Sequence, residues 1–300
     1  IALTNAGTIS GTYNLTLGGA SGGTVTSIIG ISTGTLTKAD AGTWTLNGAN
    51  TYTGATTVSA GTLKLGNATA LGTTAGGTTV SSGAVLDLNG QTITNAELLT
   101  INGTGITSGG ALINSSSTAA SYAGLVTLGS ASSIVGGTGT IALTNAGTIS
   151  GAYTLTLGGA QGGSVTSIIG TTAVTKEGSG TWTLNGVNTY SGATTVSAGT
   201  LVIGGSGSLG SGSYAGSLAV SSGATFQFLS SANQVFGSGS TGVLATGAGT
   251  IMLNGSGVVT INGNNAFTGT LNVVQSVVTQ GGTNALKAGL GYATTIEIMN

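Results

Sequence analysis

The 300-residue chain has no cysteine, no proline, no histidine and no arginine, and only nine of its residues are charged. Without cysteine there is neither a disulfide framework nor a thiolate metal site, and without histidine the usual zinc and Ser/His or Cys/His nucleophile systems are excluded by inventory. The charges are Lys38, Lys64, Lys176 and Lys287 against Asp40, Asp87, Glu97, Glu177 and Glu297, a net charge of −1. They make up 3% of the chain, where soluble proteins average about 25%. Nucleic acid and anionic lipid are therefore not expected partners, because both are held by clustered Lys or Arg. Long apolar runs are missing too, so no segment approaches the roughly 18 residues of a spanning helix. The lack of proline suits uninterrupted backbone ladders, since each proline removes a donor.

What is present is glycine, 59 residues of it, with Thr, Ser, Ala, Asn and aliphatics. Val, Ile, Leu and Thr alternate densely in short segments such as Thr43-Trp44-Thr45-Leu46, Thr62-Leu63-Lys64-Leu65 and Val85-Leu86-Asp87-Leu88. Period-two alternation broken by Gly, Asn-Gly or Ser-Gly predicts strands and tight turns, not helices or a flexible linker. Asn95 to Thr100 and Asn284 to Ala288 are the two short stretches that read as helical.

The chain repeats itself. Gly42 to Leu63 (GTWTLNGANTYTGATTVSAGTL) returns at Gly180 to Leu201 with two substitutions, Ala49/Val187 and Thr53/Ser191, and Ile1 to Gly30 returns at Ile141 to Gly170 with four. A long internal period signals a stacked architecture. A shorter period lies inside it: Val58-Ser59-Ala60-Gly61-Thr62 is echoed by Val80-Ser81-Ser82-Gly83-Ala84, and Val196-Ser197-Ala198-Gly199-Thr200 by Val220-Ser221-Ser222-Gly223-Ala224. These spacings of 22 and 24 predict coils of 20–24 residues in an all-β parallel β-solenoid, about 13 to 15 coils and roughly 60 to 70 Å long at ~4.8 Å per coil. The predicted organisation is one continuous solenoid over 1–300, with repeats 1–140 and 141–250 and a shortened third copy 251–300. In that copy Gly257 to Gly269 aligns with Gly42 to Gly54. Six [Leu/Ile]-Asn-Gly steps, at Asn47, Asn89, Asn102, Asn185, Asn254 and Asn262, are read as coil corners, with Asn and Gly tolerating positive φ and stacked Asn amides forming ladders.

At GTWTLNGANTYTGATTVSAGTLKLG the chain resembles the autotransporter-associated β-strand repeat, also called the passenger-associated transport repeat. Gly180 to Gly204 matches the same pattern and Gly257 to Val278 matches it more loosely. The resemblance implies a right-handed parallel β-helix secreted through a bacterial outer membrane, usually ahead of a C-terminal transmembrane β-barrel. The text after Val278 reads as one more strand, Thr294 to Ile298, not as a barrel, which leaves the export route open. A chain beginning at Ile1 inside a repeat is expected to be a segment of something longer.

Chemistry is scarce. Sugar-cleaving β-helices need paired carboxylates or a metal with a base on one face. Asp87 and Glu97 are the closest acids not adjoining a lysine, and ten residues, about half a coil, place them on different faces. They are expected to be isolated solvated charges. Lys38 with Asp40, and Lys176 with Glu177, are expected to be exposed pairs worth at most about 1 kcal/mol each. Gly205 to Gly210 satisfies G-x-G-x-x-G, but no helix and no acid follow, so it is not a dinucleotide loop, and it lacks the aspartates of a calcium-binding turn. Trp44 and Trp182 alternate with Leu46 and Leu184 on one strand face and are assigned to the core, with Tyr52, Tyr190 and Phe267 packing likewise. The sequons at Asn14 and Asn67 are expected by chance in so Asn- and Thr-rich a chain. Thr-x-Thr steps at Thr43 and Thr181 raise ice binding as a lesser alternative. A true ice face should recur in every coil, and these steps do not.

The expected function is a non-enzymatic extracellular structural or adhesive β-solenoid: a bacterial cell-surface stalk, or a self-associating fibre or matrix component. No catalytic, cofactor-binding or metal-ligating residue is assigned and no cofactor is expected. The expected partners are further copies of the chain, end to end or laterally, and surface glycans or other cells; membrane insertion by this segment is not expected. A degenerate polysaccharide-binding or polysaccharide-acting β-helix is the enzyme-side alternative. With so few ionisable groups, stability is predicted to vary little between pH 5 and 9 and trypsin to cut poorly.

Overall fold

The fold was analysed in a computed structural model, which describes residues 1–237, 243–262, 264–280 and 295–298. The chain folds as parallel strands stacked in a β-solenoid of about 13 turns, about 21 residues apart. It divides into two compact units, Ile1–Tyr153 and Thr154–Asn300.

In the first unit the strands form three lines. The first line stacks Ala2–Leu3, Gly22–Val25, Thr43–Leu46, Thr62–Leu65, Val85–Asp87 and Leu112–Asn114, and ends on the second half of Val126–Gly136. The second line stacks Leu15–Leu17, Leu36–Lys38, Thr56–Val58, Thr78–Val80 and Leu99–Gly103, and ends on the first half of Val126–Gly136. A third line is short and broken, with Thr8–Ser10 on Ile28–Gly30, and Thr92–Ile93 on Ala120–Tyr122 on Ile141–Leu143. All of these pairings are parallel and, apart from one bulge after Ile101, in continuous register. The echo read from the sequence is literally the register, since Val58 pairs with Val80.

The second unit repeats the scheme. Its first line runs through Gly162–Val165, Thr181–Leu184, Thr200–Ile203, Thr225–Phe228, Thr250–Leu253, Thr270–Val273 and Thr295–Ile298. Its second line runs through Thr154–Gly158, Ala173–Lys176, Thr194–Val196, Leu218–Val220, Val243–Gly247 and Asn264–Phe267. Ser213–Tyr214, Gln234–Phe236, Val259–Ile261 and Val278–Gln280 make the third.

Alternation decides what faces inward. Successive side chains of a strand point to opposite faces, and identical register stacks like positions into columns. One interior column is Trp44, Leu63, Leu86, Leu112 and Ile134; its counterpart is Trp182, Leu201, Phe226 and Ile251, and all are buried. Both tryptophans therefore sit in the core as expected, with each indole N–H donating to a glycine carbonyl, Gly18 or Gly158, at 2.9 Å. Tyr52, Tyr190 and Phe267 are buried too.

Four expectations are corrected. Asn95 to Thr100 is not helical: Leu99–Gly103 is a strand, because Leu99 and Ile101 alternate into the core. Among the described residues helix is confined to the 3-10 turns Ile106–Ser108 and Gly210–Gly212; Asn284 to Ala288 lies outside them. The Asn-Gly steps do lie at or near strand ends, and Asn89, Gly90 and Gly103 have the positive φ expected, but Gly48 and Gly186 do not; a Cβ there would sit 2.3 and 2.4 Å from the carbonyl oxygens of Ser27 and Ser167 in the preceding coil. Close stacking of backbones excludes a side chain. Among the described residues no hydrogen bond joins one Asn amide to another, so no amide ladder runs along the corners. Asn89 and Asn102 instead donate to the backbone carbonyls of Leu65 and Val80 one coil back, each at 2.9 Å. Finally, the third copy shifts phase: Val259–Ile261, aligned with Trp44 to Leu46, stacks in the third line and not the first.

Candidate functional site

The charged residues are the natural place to look for chemistry, and the structure buries four of them, Lys38, Asp87, Glu97 and Lys176. Lys38 and Lys176 are 0% exposed, contrary to the expected solvated pairs. The reason was present in the alternation: Leu36 and Lys38 share a face of one strand, as do Val174 and Lys176 of another, with Thr37 and Thr175 facing out. Neither ammonium is within ion-pair distance of its neighbouring acid; among the described residues the ion pair present is Lys64 with Asp87, 3.7 Å. Lys38 Nζ instead donates to the carbonyls of Ala39, Asp40 and Ala60 at 2.6, 2.8 and 2.8 Å. Lys176 Nζ donates to those of Glu177, Gly178 and Ala198 at 2.7, 2.7 and 2.9 Å. Burial lowers both amines, against the opposing charge of Asp40 or Glu177, and brings Lys176 to about 8.

Asp87 and Glu97 are each 2% exposed, again not solvated. Asp87 points outward from its strand but is covered by the next coil. Ser115 donates to it through its hydroxyl at 2.6 Å and its backbone N–H at 3.0 Å, and Asn89 N–H donates at 2.9 Å. Lys64 closes this cluster by donating to Ser115 Oγ at 3.1 Å.

Glu97 lies in the interior. Thr78 donates its hydroxyl to Glu97 Oε1 at 2.6 Å, and Tyr122 donates its hydroxyl to the Glu97 carbonyl at 2.8 Å. Burial raises the carboxyl to about 7, opposed by the Thr78 hydrogen bond. Thr78 is the register partner of Thr56, whose hydroxyl meets that of Tyr52 at 2.6 Å. A file of hydroxyls thus runs along the core of the first unit to one carboxyl. The second unit has the homologous beginning, Tyr190 with Thr194 at 2.9 Å, but Tyr214 closes it at 2.8 Å and packs edge-on against Tyr190 and Phe236.

These placements do not assemble an acid–base pair. Asp87 is occupied by Lys64 and Ser115 on the outer face, Glu97 by Thr78 in the core, and no hydrogen-bond partner joins them. An open depression of about 430 Å³ is lined by residues that include Asn50, Thr51, Thr69, Gly72, Thr73 and Asn95, and by no charged side chain. Asn50 is engaged within the fold, accepting from Ile29 N–H at 2.8 Å and donating to Ala70 O at 2.6 Å. Among the described residues no cluster of three or more metal-ligating side chains occurs. No described helix is long and apolar enough to cross a membrane. Gly205 to Gly210 joins a strand to a single 3-10 turn, not to a helix. The two sequon asparagines Asn14 and Asn67 are engaged within the fold, Asn14 accepting from Thr35 N–H one coil on and Asn67 from the Thr69 N–H and hydroxyl.

The outer face carries a feature that the dipeptide steps did not reveal. The outward residues of the second line in unit one are Thr16, Thr37, Thr57, Thr79, Thr100 and Thr127, one per coil in unbroken register. In unit two the corresponding file is Thr156, Thr175 and Thr195, then Ala219 and Thr246. The signal in the sequence was a single Thr flanked by two inward residues, as in Leu36-Thr37-Lys38 and Thr56-Thr57-Val58.

Comparison with known proteins agrees with this architecture. The model of the passenger-associated-transport-repeat family matches residues 36–65, 174–203 and 253–275. The adhesin BmaC autotransporter of Brucella suis biovar 1 (strain 1330) is 42% identical over 105 residues, 35% of this chain and 3% of that protein. The matched stretch is thus a small fraction of the adhesin's length. No solved structure matches. The two buried lysines, the two tryptophans and the glycine-tight corners all lie in or beside the first two matched segments. The chain thus carries three segments that match the passenger-associated transport repeat, set in a β-solenoid.

Proposed function

We propose that this chain is a non-enzymatic section of a bacterial passenger, exposed on the cell surface or secreted, which serves as an adhesive shaft. The observation that carries this reading is the coincidence of three passenger repeats with an uncharged outer face of hydroxyls stacked coil upon coil. Such a face has little self-repulsion, so copies of the chain can approach laterally, and hydroxyl and amide groups are the chemistry that pairs with neutral glycans. The likeness to an adhesin supports attachment as the task. Beads coated with the purified chain should adhere to cells, to neutral glycan surfaces or to one another, with little dependence on salt. Beads that behave as uncoated controls on all three, together with a monomer in sedimentation at every concentration tried, would overturn the proposal.

Ordering of water against the threonine files is a second reading, favoured by their recurrence in consecutive coils. The file is single, since the strand residues on either side of each Thr face inward. Thermal hysteresis of the freezing point tests it; a solution that freezes as buffer does ends it.

A further inference from the structure

We propose that the turn after each repeat's Leu-Thr-Lys or Val-Thr-Lys strand is a carbonyl-lined site for a primary ammonium ion, filled by the chain's own lysine, which locks the register of two consecutive coils. This inference does not depend on the adhesive reading. An ammonium group has three N–H donors and no acceptor, and each lysine Nζ here meets three backbone carbonyls, 2.6–2.8 Å for Lys38 and 2.7–2.9 Å for Lys176. Two of the three belong to the lysine's own turn. The third, Ala60 or Ala198, lies 22 residues on, in the next coil. The site is therefore complete only when that coil has docked in register.

The niche is built as well as occupied. Gly61 and Gly199 have φ of 65° and 62°, and a Cβ on either would lie 2.7 or 2.8 Å from the lysine nitrogen. The same Val-Ser-x-Gly turn without a lysine beneath it, at Gly83 and Gly223, has nothing within 4 Å of that position. Lysine and glycine thus form a pair 23 residues apart, present in both full copies. A slip of one residue would turn the lysine to the outer face and break all three bonds at once, which is the property a register lock needs.

The ion-pair explanation is not favoured by the geometry. Glu177 is exposed, and Asp40 Oδ2 accepts from Gly19 N–H at 2.8 Å. Two experiments decide between the accounts. In the wild-type chain with 15N-labelled lysine, two Nζ signals should show ammonium protons protected from exchange at neutral pH; free exchange at all lysines would overturn the proposal whatever the variants do. Lys176→Ala should unfold at lower urea than wild type and be restored by n-butylammonium but not by n-butanol, while Glu177→Gln should unfold as wild type does. Equal rescue by the alcohol, or a loss in Glu177→Gln matching that in Lys176→Ala, would overturn it. If Lys176→Ala does not fold, the same comparison is made on Lys176→Met, which keeps the stem and lacks the cation; an unfolding midpoint equal to wild type would count against the lock.

Discussion

At the scale of single residues, the unusual property of this protein is that its few ionisable groups are placed where they cost most. Glu97 has no cation beside it; Thr78 donates to it and buried Tyr52 and Tyr122 flank it. Its carboxyl titrates at about 7 in the folded chain against an ordinary 4.5, so between those values the native state holds a proton that the unfolded state has lost. The Glu97 contribution to stability therefore falls as pH rises from 4.5 to 7, by on the order of 3 kcal/mol, and is constant above that interval. The insensitivity between pH 5 and 9 expected from charge counting is corrected by this one residue. Glu97→Gln should abolish the decline and be the more stable protein at pH 8; urea midpoints at pH 5 and 8 for both proteins check this. Lys176 acts at the other end: with a folded value of about 8 below its unfolded 10.5, the unfolded state holds the extra proton between them, and stability rises with pH there. The Thr194 hydroxyl is shared by Tyr190 and Tyr214. Thr194→Val keeps the shape and leaves the Tyr190 hydroxyl without that partner, which should cost about 1–3 kcal/mol in urea unfolding.

At the scale of the coil, backbone proximity sets which substitutions are tolerated. Gly186 has ordinary φ, yet a Cβ would sit 2.4 Å from Ser167 O in the coil before it; Gly223 has φ of 78° and open space around it. Gly223→Ala should cost about 1 kcal/mol for the strained dihedral alone. Gly186→Ala should cost more, because two coils must part to admit it, and hydrogen exchange should rise at Ser167 as well as at residue 186. A similar effect at both positions would show that φ, not stacking, selects glycine at the corners. The outer Thr files belong to this scale too: one β-branched residue per three-residue strand, facing water, satisfies strand geometry without adding charge.

At the scale of the molecule, each coil contacts its neighbours, so whole coils are interchangeable. Val58 and Val80 are register partners and both are followed by a Ser-x-Gly turn. Deleting Ser59 through Val80 joins Val58 to Ser81 and places Ser82 and Gly83 where Ala60 and Gly61 met Lys38. The shortened chain should still unfold cooperatively, with a urea m-value reduced in proportion to the surface removed. Loss of the transition, or an unchanged m-value, would count against coil-by-coil construction. Among the described lysines, trypsin should spare Lys38 and Lys176 in the folded chain and cut at half-exposed Lys64, as peptide mapping would show.

Repetition, strand alternation and turn residues by themselves determined the fold class, the coil length and the inward tryptophans, since each is a local consequence of the two-residue period and of side chains that must be stacked on their like. Alternation even contained the inward direction of Lys38 and Lys176, although ordinary expectation for a charged residue pointed the other way. Only the tertiary structure decided what surrounds those residues. Three carbonyls from two coils receive each lysine, a serine 28 residues on covers Asp87, and a threonine 19 residues back faces Glu97. Two of each lysine's carbonyls come from the residues that follow it, but the third, with Ser115 and Thr78, lies about one coil away at a distance that varies with each loop, and the free energy of burying an ion depends on those partners as well as on its neighbours in sequence.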